Sequence, residues 1–191
     1  MSFKQDVQAV TDALQQQHIE YAVCGAVALA IHGFVRATPG IDIIVSSIAM
    51  DAAEDIAAGL AFQPSNEKRR PAIAVVSMSK GINSERTALH FLEVTPIIQS
   101  AWDSRTWFDI DDQRCCVVSR DGLIHMKQSS GRRSDEADLQ RLIDPASHDP
   151  LLPENPAPPS MAAKAIGDRL EMQSQLLALC LMLGNAKFAV R

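Results

Sequence analysis

Asp42 stands alone in an otherwise apolar stretch, Ile41-Asp42-Ile43-Ile44-Val45, directly after Pro39 and Gly40. A carboxylate that interrupts a hydrophobic strand has two readings: a metal ligand, or a strand-end acid hydrogen-bonded to a loop or to Arg36. Upstream, Gly25-Ala26 separates the apolar run ending at Cys24 from a small-residue helical segment. A glycine turn leading into a helix brings backbone N–H groups up to phosphates, and the same glycine also serves the turn's geometry alone. Downstream, Lys127, Arg132, Asp135 and Asp138 fall at spacings that suit an ion-pair cluster supporting a helix turn or contact with an anionic substrate. His90 lies in the apolar segment Ala88–Val94, where an imidazole is a hydrogen-bonded core side chain or a ligand.

Other metal or nucleophile constellations are absent from the sequence. Cys24, Cys115, Cys116 and Cys180, and His18, His32, His90, His125 and His148, show no Cys-x-x-Cys or Cys/His ligand spacing. The thiols therefore read as small buried hydrophobes in a reducing compartment. The Lys68-Arg69-Arg70 run reads as a solvated loop, because it lacks the interleaved aromatics of a nucleic-acid platform.

The elements that must position these residues follow from periodicity. Phe3, Val7, Val10 and Leu14 form the stripe of an amphipathic helix ending near Gln17. Ile19–Val23 reads as a buried strand closed by Gly25, and Ala26–Ile31 as a helix ending at Gly33. In the strand Ile41–Val45, alternation separates Asp42 and Ile44 from Ile41, Ile43 and Val45. Ser46 or Ser47 is placed to cap a helix running to about Leu60. Ala72–Met78 and Ala88–Val94 read as strands joined by a hairpin, with Glu93 on the face opposite His90. A short helix near Ile97–Trp102 precedes a second strand pair, Trp107–Ile110 and Arg114–Val118. Ser119 caps a helix that Gly131 ends, and a further helix reaches Ile143. The sequence thus implies an α+β domain over residues 1–144, a Pro-rich linker over 145–160 and a C-terminal helical arm over 161–191.

The whole chain has 191 residues, 47% of them hydrophobic and 21% charged, with a net charge of −5. Global disorder is excluded by that composition. The acidic balance supplies no field for nonspecific nucleic-acid binding, so nucleic acid is an unexpected partner. The N-terminus lacks the pattern of a signal peptide, and a cytoplasmic location is expected. The run Leu176–Leu183 is far short of the roughly 20 residues a membrane span requires. Its stripes carry more apolar surface than one groove covers, so the arm is expected to dock on its own domain, to form a homo-oligomer, or both.

Three segments, in order, resemble the nucleotidyltransferase superfamily that shares the palm-like fold of polymerase beta. They are similar, more narrowly, to its small bacterial members of the abortive-infection and toxin–antitoxin type. The segments are Tyr21-Ala22-Val23-Cys24-Gly25-Ala26-Val27-Ala28, then Arg36-Ala37-Thr38-Pro39-Gly40-Ile41-Asp42-Ile43, then Lys127 through Leu139 with Arg132, Asp135 and Asp138. The resemblance implies a mixed sheet flanked by helices and transfer of a nucleoside monophosphate from a nucleoside triphosphate to a hydroxyl. It implies Asp42 as the catalytic metal ligand, Gly25 and Ala26 as the phosphate turn, and Arg36, Thr38 and Lys127 as nucleotide contacts.

In that family, two aspartates at i and i+2 on a strand join a third acid to hold two Mg²⁺ ions about 4 Å apart. Here Gly40 stands in the place of the first aspartate, Ala26 in that of the second turn residue, and His90 where the third acid is expected. The metal set reduces to Asp42 and, for an imidazole-bound ion, His90. Two expectations follow. One is a nucleotidyltransferase-like protein with a degenerate metal site, little or no transfer and a cleft that still takes a nucleotide. The other is a non-catalytic interaction protein that works as an oligomeric scaffold or as one partner of a two-protein, toxin–antitoxin-like system.

Overall fold

A computed structural model of the chain describes residues 2–34, 36, 38, 40–65, 75–82, 86–110, 113–131 and 133–144. The linker, the C-terminal arm, Arg132 and the Lys68-Arg69-Arg70 run lie outside the described residues.

The fold is organised around one strand. Gly40–Val45 (β2) is the middle of a seven-stranded mixed sheet, flanked by Tyr21–Cys24 (β1) and Thr87–Glu93 (β5). Val75–Lys80 (β4) and Gln63–Pro64 (β3) continue beyond β5, while Gln113–Val117 (β7) and Thr106–Ile110 (β6) continue beyond β1. β2 runs antiparallel to β1 and parallel to β5. Ile41, Ile43, Ile44 and Val45 are fully buried, so both faces of this strand are covered and only Asp42 interrupts the burial. Burial on both faces is what a central strand of a mixed sheet requires.

The helices are specified locally. Phe3–Gln16 (α1) opens with a capping box: Ser2 Oγ accepts from the Gln5 amide and Gln5 Oε1 from the Ser2 amide. Val10 and Leu14 bury the expected stripe. Asp6, on the same helix, is also buried, because Lys80 at 2.8 Å and the Thr87 hydroxyl at 2.9 Å meet its carboxylate. Gly25–Ile31 (α2) begins at the glycine itself. Ser119 caps Arg120–Ser130 (α5) by accepting from the Gly122 amide, and Gly131 ends it at φ +62°. Arg133–Ile143 (α6) folds back on α5 and buries Leu142.

The serine cap expected after β2 does not form. The Ala49 amide donates to the Ser46 carbonyl instead, making a 3-10 turn over Ser47–Ala49, and Met50–Gly59 (α3) follows without a side-chain cap. The hairpin of β4 and β5 is antiparallel as expected, with the first part of the anticipated Ala72–Met78 strand outside the described residues. The two-residue strand β3 has no hydrophobic signature of its own. Its Pro64 sits at the sheet edge, where a missing N–H costs no ladder bond. Gln99–Asp103 (α4) completes the set and packs on α5.

Candidate functional site

Four adjacent strands bring one residue each into a row. The registers pair Cys24 with Asp42, Asp42 with His90, and His90 with Ser77. Directly opposed residues share a sheet face, so these four side chains form a line across β1, β2, β5 and β4. Alternation on β5 places Leu89 and Phe91 in the core, and His90 with Ala88 on the other face. Glu93 has the parity of Leu89 and Phe91, as the sequence predicts.

Asp42 and His90 are bonded to one another. Asp42 Oδ1 lies 3.0 Å from His90 Nδ1, and the side chains keep 32% and 25% of their exposure. The other carboxylate oxygen is turned toward the Gly25 turn. A β-carbon on Gly25 would sit 2.1 Å from Asp42 Oδ2, and Gly25 adopts φ +62°. Both facts require glycine: the left-handed backbone penalises an L side chain, and the carboxylate fills the space one would occupy. Ala26 directs its side chain into the core, so only its backbone faces the turn.

Position 40 is different. A β-carbon on Gly40 would meet the His90 ring at 3.5 Å and the Ala88 methyl at 3.7 Å, ordinary contacts. Space therefore does not explain the absence of a second carboxylate there. Thr38, buried, fixes the entry to the strand: its hydroxyl donates to the Gly40 carbonyl at 3.1 Å and accepts from the Gly40 amide at 3.2 Å.

Arg36 and Lys127 meet at α6 rather than at Asp42. Lys127 Nζ is 3.0 Å from Asp135 Oδ1 and 2.6 Å from Asp138 Oδ2, with all three side chains under 10% exposed. Ser130 Oγ donates to the second oxygen of Asp135. Arg36 Nε lies 3.2 Å from Asp138 Oδ2. The α5–α6 motif thus forms the ion-pair cluster that the spacing allows, and Arg36 joins it instead of pairing with Asp42. Lys127 is also close enough to Cys24 to act on its thiol. Burial pushes the Cys24 thiol well up, the Asp42 carboxylate adds to the rise, and Lys127 opposes it.

The donor set does not fit Mg²⁺. This ion takes near-octahedral oxygen ligands, and the row offers one carboxylate whose Oδ1 is held by an imidazole. Among the described residues, no three His, Cys, Asp or Glu side chains come together as a metal-binding group. Asp42 and His90 supply two donors for any other ion, already bonded to each other. What the row does supply is a fixed carboxylate–imidazole pair at the mouth of a glycine turn. A groove of about 680 Å³ lies on the exposed side of α6, lined by residues that include Leu139, Arg141 and Ile143, away from this row.

Sequence reasoning missed Ser77 as part of the row and placed Cys24 only as a buried thiol. Strand register carries that information, and no local pattern in either strand encodes it. Asp6 gave no signal either, since its partners are 74 and 81 residues away.

The strand order and the glycine turn beside the central acidic strand make this a nucleotidyltransferase-type α+β fold, and solved structures share it. The lincosamide antibiotic adenylyltransferase LnuA, bound to lincomycin, superposes with a TM-score of 0.55 at 9% identity, over 74% of this chain and 96% of its own. The antibiotic-resistance factor ANT(2'')-Ia in solution gives 0.52 at 12% identity, over 98% and 96%. The same enzyme in complex with adenylyl-2''-tobramycin gives 0.50 at 11%, over 92% and 97%. The sequence itself matches no protein-family model and no characterised protein. No helix among the described residues is long and apolar enough to cross a membrane.

Proposed function

We propose that this chain is a nucleotidyltransferase-fold protein whose two-metal centre has been dismantled, leaving a cleft that takes a nucleoside triphosphate and transfers its nucleotide weakly or not at all. The observation that carries the reading is the Asp42–His90 pair. The carboxylate that would hold a metal is hydrogen-bonded at 3.0 Å to the residue standing where another acid is needed, and the neighbouring position on the same strand is Gly40. In this reading the Gly25 turn, Arg36 and Thr38 are the parts that would meet the phosphates. The motif order is similar to that of small bacterial abortive-infection and toxin–antitoxin nucleotidyltransferases, which supports placing the chain in that branch. Three free thiols among the described residues fit a reducing, cytoplasmic setting.

The test has two arms. Incubation with labelled nucleoside triphosphates and Mg²⁺ is expected to give at most trace transfer, and transfer that is robust and abolished by Asp42→Ala would overturn the dismantled centre. Calorimetric titration with ATP, GTP, CTP and UTP is expected to give micromolar binding of at least one. Absence of binding to all four would instead favour a retired fold that serves only as a protein partner.

A further inference from the structure

We propose that Lys127 is a positioning residue: buried in the α5–α6 cluster, it holds Asp138, and Asp138 holds the guanidinium of Arg36 at the entry to the central strand. The inference rests on the nucleotide-binding reading for its consequence, because it assigns phosphate affinity to Arg36 and makes that affinity depend on Lys127.

The charges require the arrangement. An ammonium buried to 8% exposure must be matched by partners that replace its water, and Lys127 has them in Asp135 and Asp138. Asp138 joins Lys127 to a second cation through one atom: its Oδ2 serves both Lys127, at 2.6 Å, and Arg36, at 3.2 Å. Lys127 gives two of its three donors to these carboxylates at 8% exposure, and Arg36 is the more open of the two cations. Arg36 Nε is buried 3.2 Å from Asp138 Oδ2 in an ion pair without a hydrogen bond, while its side chain keeps 36% of its exposure, which leaves the guanidinium open to a bidentate anion. From Arg36 the chain passes to Thr38, whose hydroxyl is bonded both ways to Gly40. Gly40 abuts His90, and Asp42 follows two residues on. The clamp on Arg36 therefore fixes how the segment enters the row.

Two readouts test this. In the absence of nucleotide, hydrogen exchange at the Gly40 amide, which donates to Thr38 Oγ1, is expected to rise about tenfold in Lys127→Met and in Asp138→Asn. Lys127→Arg, which keeps the cation, is expected to restore protection to within about threefold. Unchanged Gly40 exchange in the folded Asp138→Asn and Lys127→Met variants overturns the proposal. With ATP as the probe, Arg36→Ala and Lys127→Met are each expected to weaken binding about tenfold, and the double variant no further than Arg36→Ala alone. Losses that multiply would give Lys127 its own contact and overturn the relay. If the unaltered chain binds no ATP, the nucleotide reading fails, and the exchange result still decides the clamp. Should Lys127→Met not fold, Asp138→Asn and Lys127→Arg carry both readouts.

Discussion

At Gly25, backbone strain and site geometry fall on one α-carbon, and the two can be separated. Gly25→Ala must adopt φ +62° with a β-carbon and must displace Asp42 Oδ2, which lies 2.1 Å from that position. A loss of about 1–3 kcal/mol in chemical denaturation is expected, the size of single-residue backbone strain. In an Asp42→Ala background the steric part vanishes and the strain remains, so the penalty should fall by about half without disappearing; additivity of the two changes would mean the close approach carries no energy. Position 40 gives the complementary experiment. Because a β-carbon there meets only ordinary contacts, Gly40→Asp with His90→Asp should make a set of three carboxylates with Asp42. Calorimetry is expected to find Mn²⁺ bound at least tenfold more tightly by the double variant than by the parent chain, as expected when anionic oxygen ligands are added for a hard cation. Equal affinity would show that the missing carboxylates alone do not decide metal binding here.

At the level of elements, the paired strands β1 and β7 store a titratable liability. Burial pushes the Cys115 thiol up to about 12 from 9.0, and the same cause raises Cys116 and Cys24. A thiol whose folded value lies above its unfolded one keeps its proton in the folded state while the unfolded chain releases it, so stability is complete below the unfolded value and is lost as pH rises above it. The unfolding free energy from urea titrations should therefore fall between pH 9 and 12, by up to about 1.4 kcal/mol per pH unit for Cys115. Cys115→Ala should flatten part of that slope, and an unchanged slope would remove Cys115 from the account. The elements that create this environment were largely legible from sequence. The stripe of α1, the alternation of β2 and β5, the Ser119 cap and the Gly131 stop are local signals, and local signals set the boundaries. Three features were not legible, for one reason. The Asp42–His90 bond, the burial of Asp6 under Lys80 and Thr87, and the capture of Arg36 by Asp138 each depend on strand register or helix docking between segments distant in sequence. A buried polar side chain reads as a surface one until its partner's position is known. The spacing of Lys127, Asp135 and Asp138 did encode their contact, because all three sit on consecutive helices joined by a single turn.

For the whole molecule, the described core closes without the last segment of sequence. Its members run from Val10 in α1 to Leu142 in α6, and Leu142 is 1% exposed, so α6 belongs to the domain and cannot be trimmed. Among the described residues, the large exposed apolar side chains lie on separate elements: Ile48 in the 3-10 turn, Ile82 after β4, Ile97 before α4, Trp107 in β6 and Ile143 at the end of α6. Scattered single side chains do not make an association surface. The stretch from Met161 onward lies outside the described residues; in sequence it places Met172, Leu176, Leu179 and Leu183, and Ile166, Leu170, Leu177 and Leu181, at spacings that would form two stripes of a helix. We propose that this apolar segment takes its partner surface from its own domain, from a second copy, or from both. The two roles separate when the chain is ended after Asp144. The shortened chain is expected to unfold cooperatively, with a midpoint within about 5 °C of the parent, since the loss of well under 1 kcal/mol shifts a domain of this size by a few degrees. Light scattering is expected to give a monomer mass for the shortened chain and an oligomer mass for the full one. A full chain that is monomeric would remove association from the arm, and a shortened chain that fails to fold would place part of the core beyond Asp144.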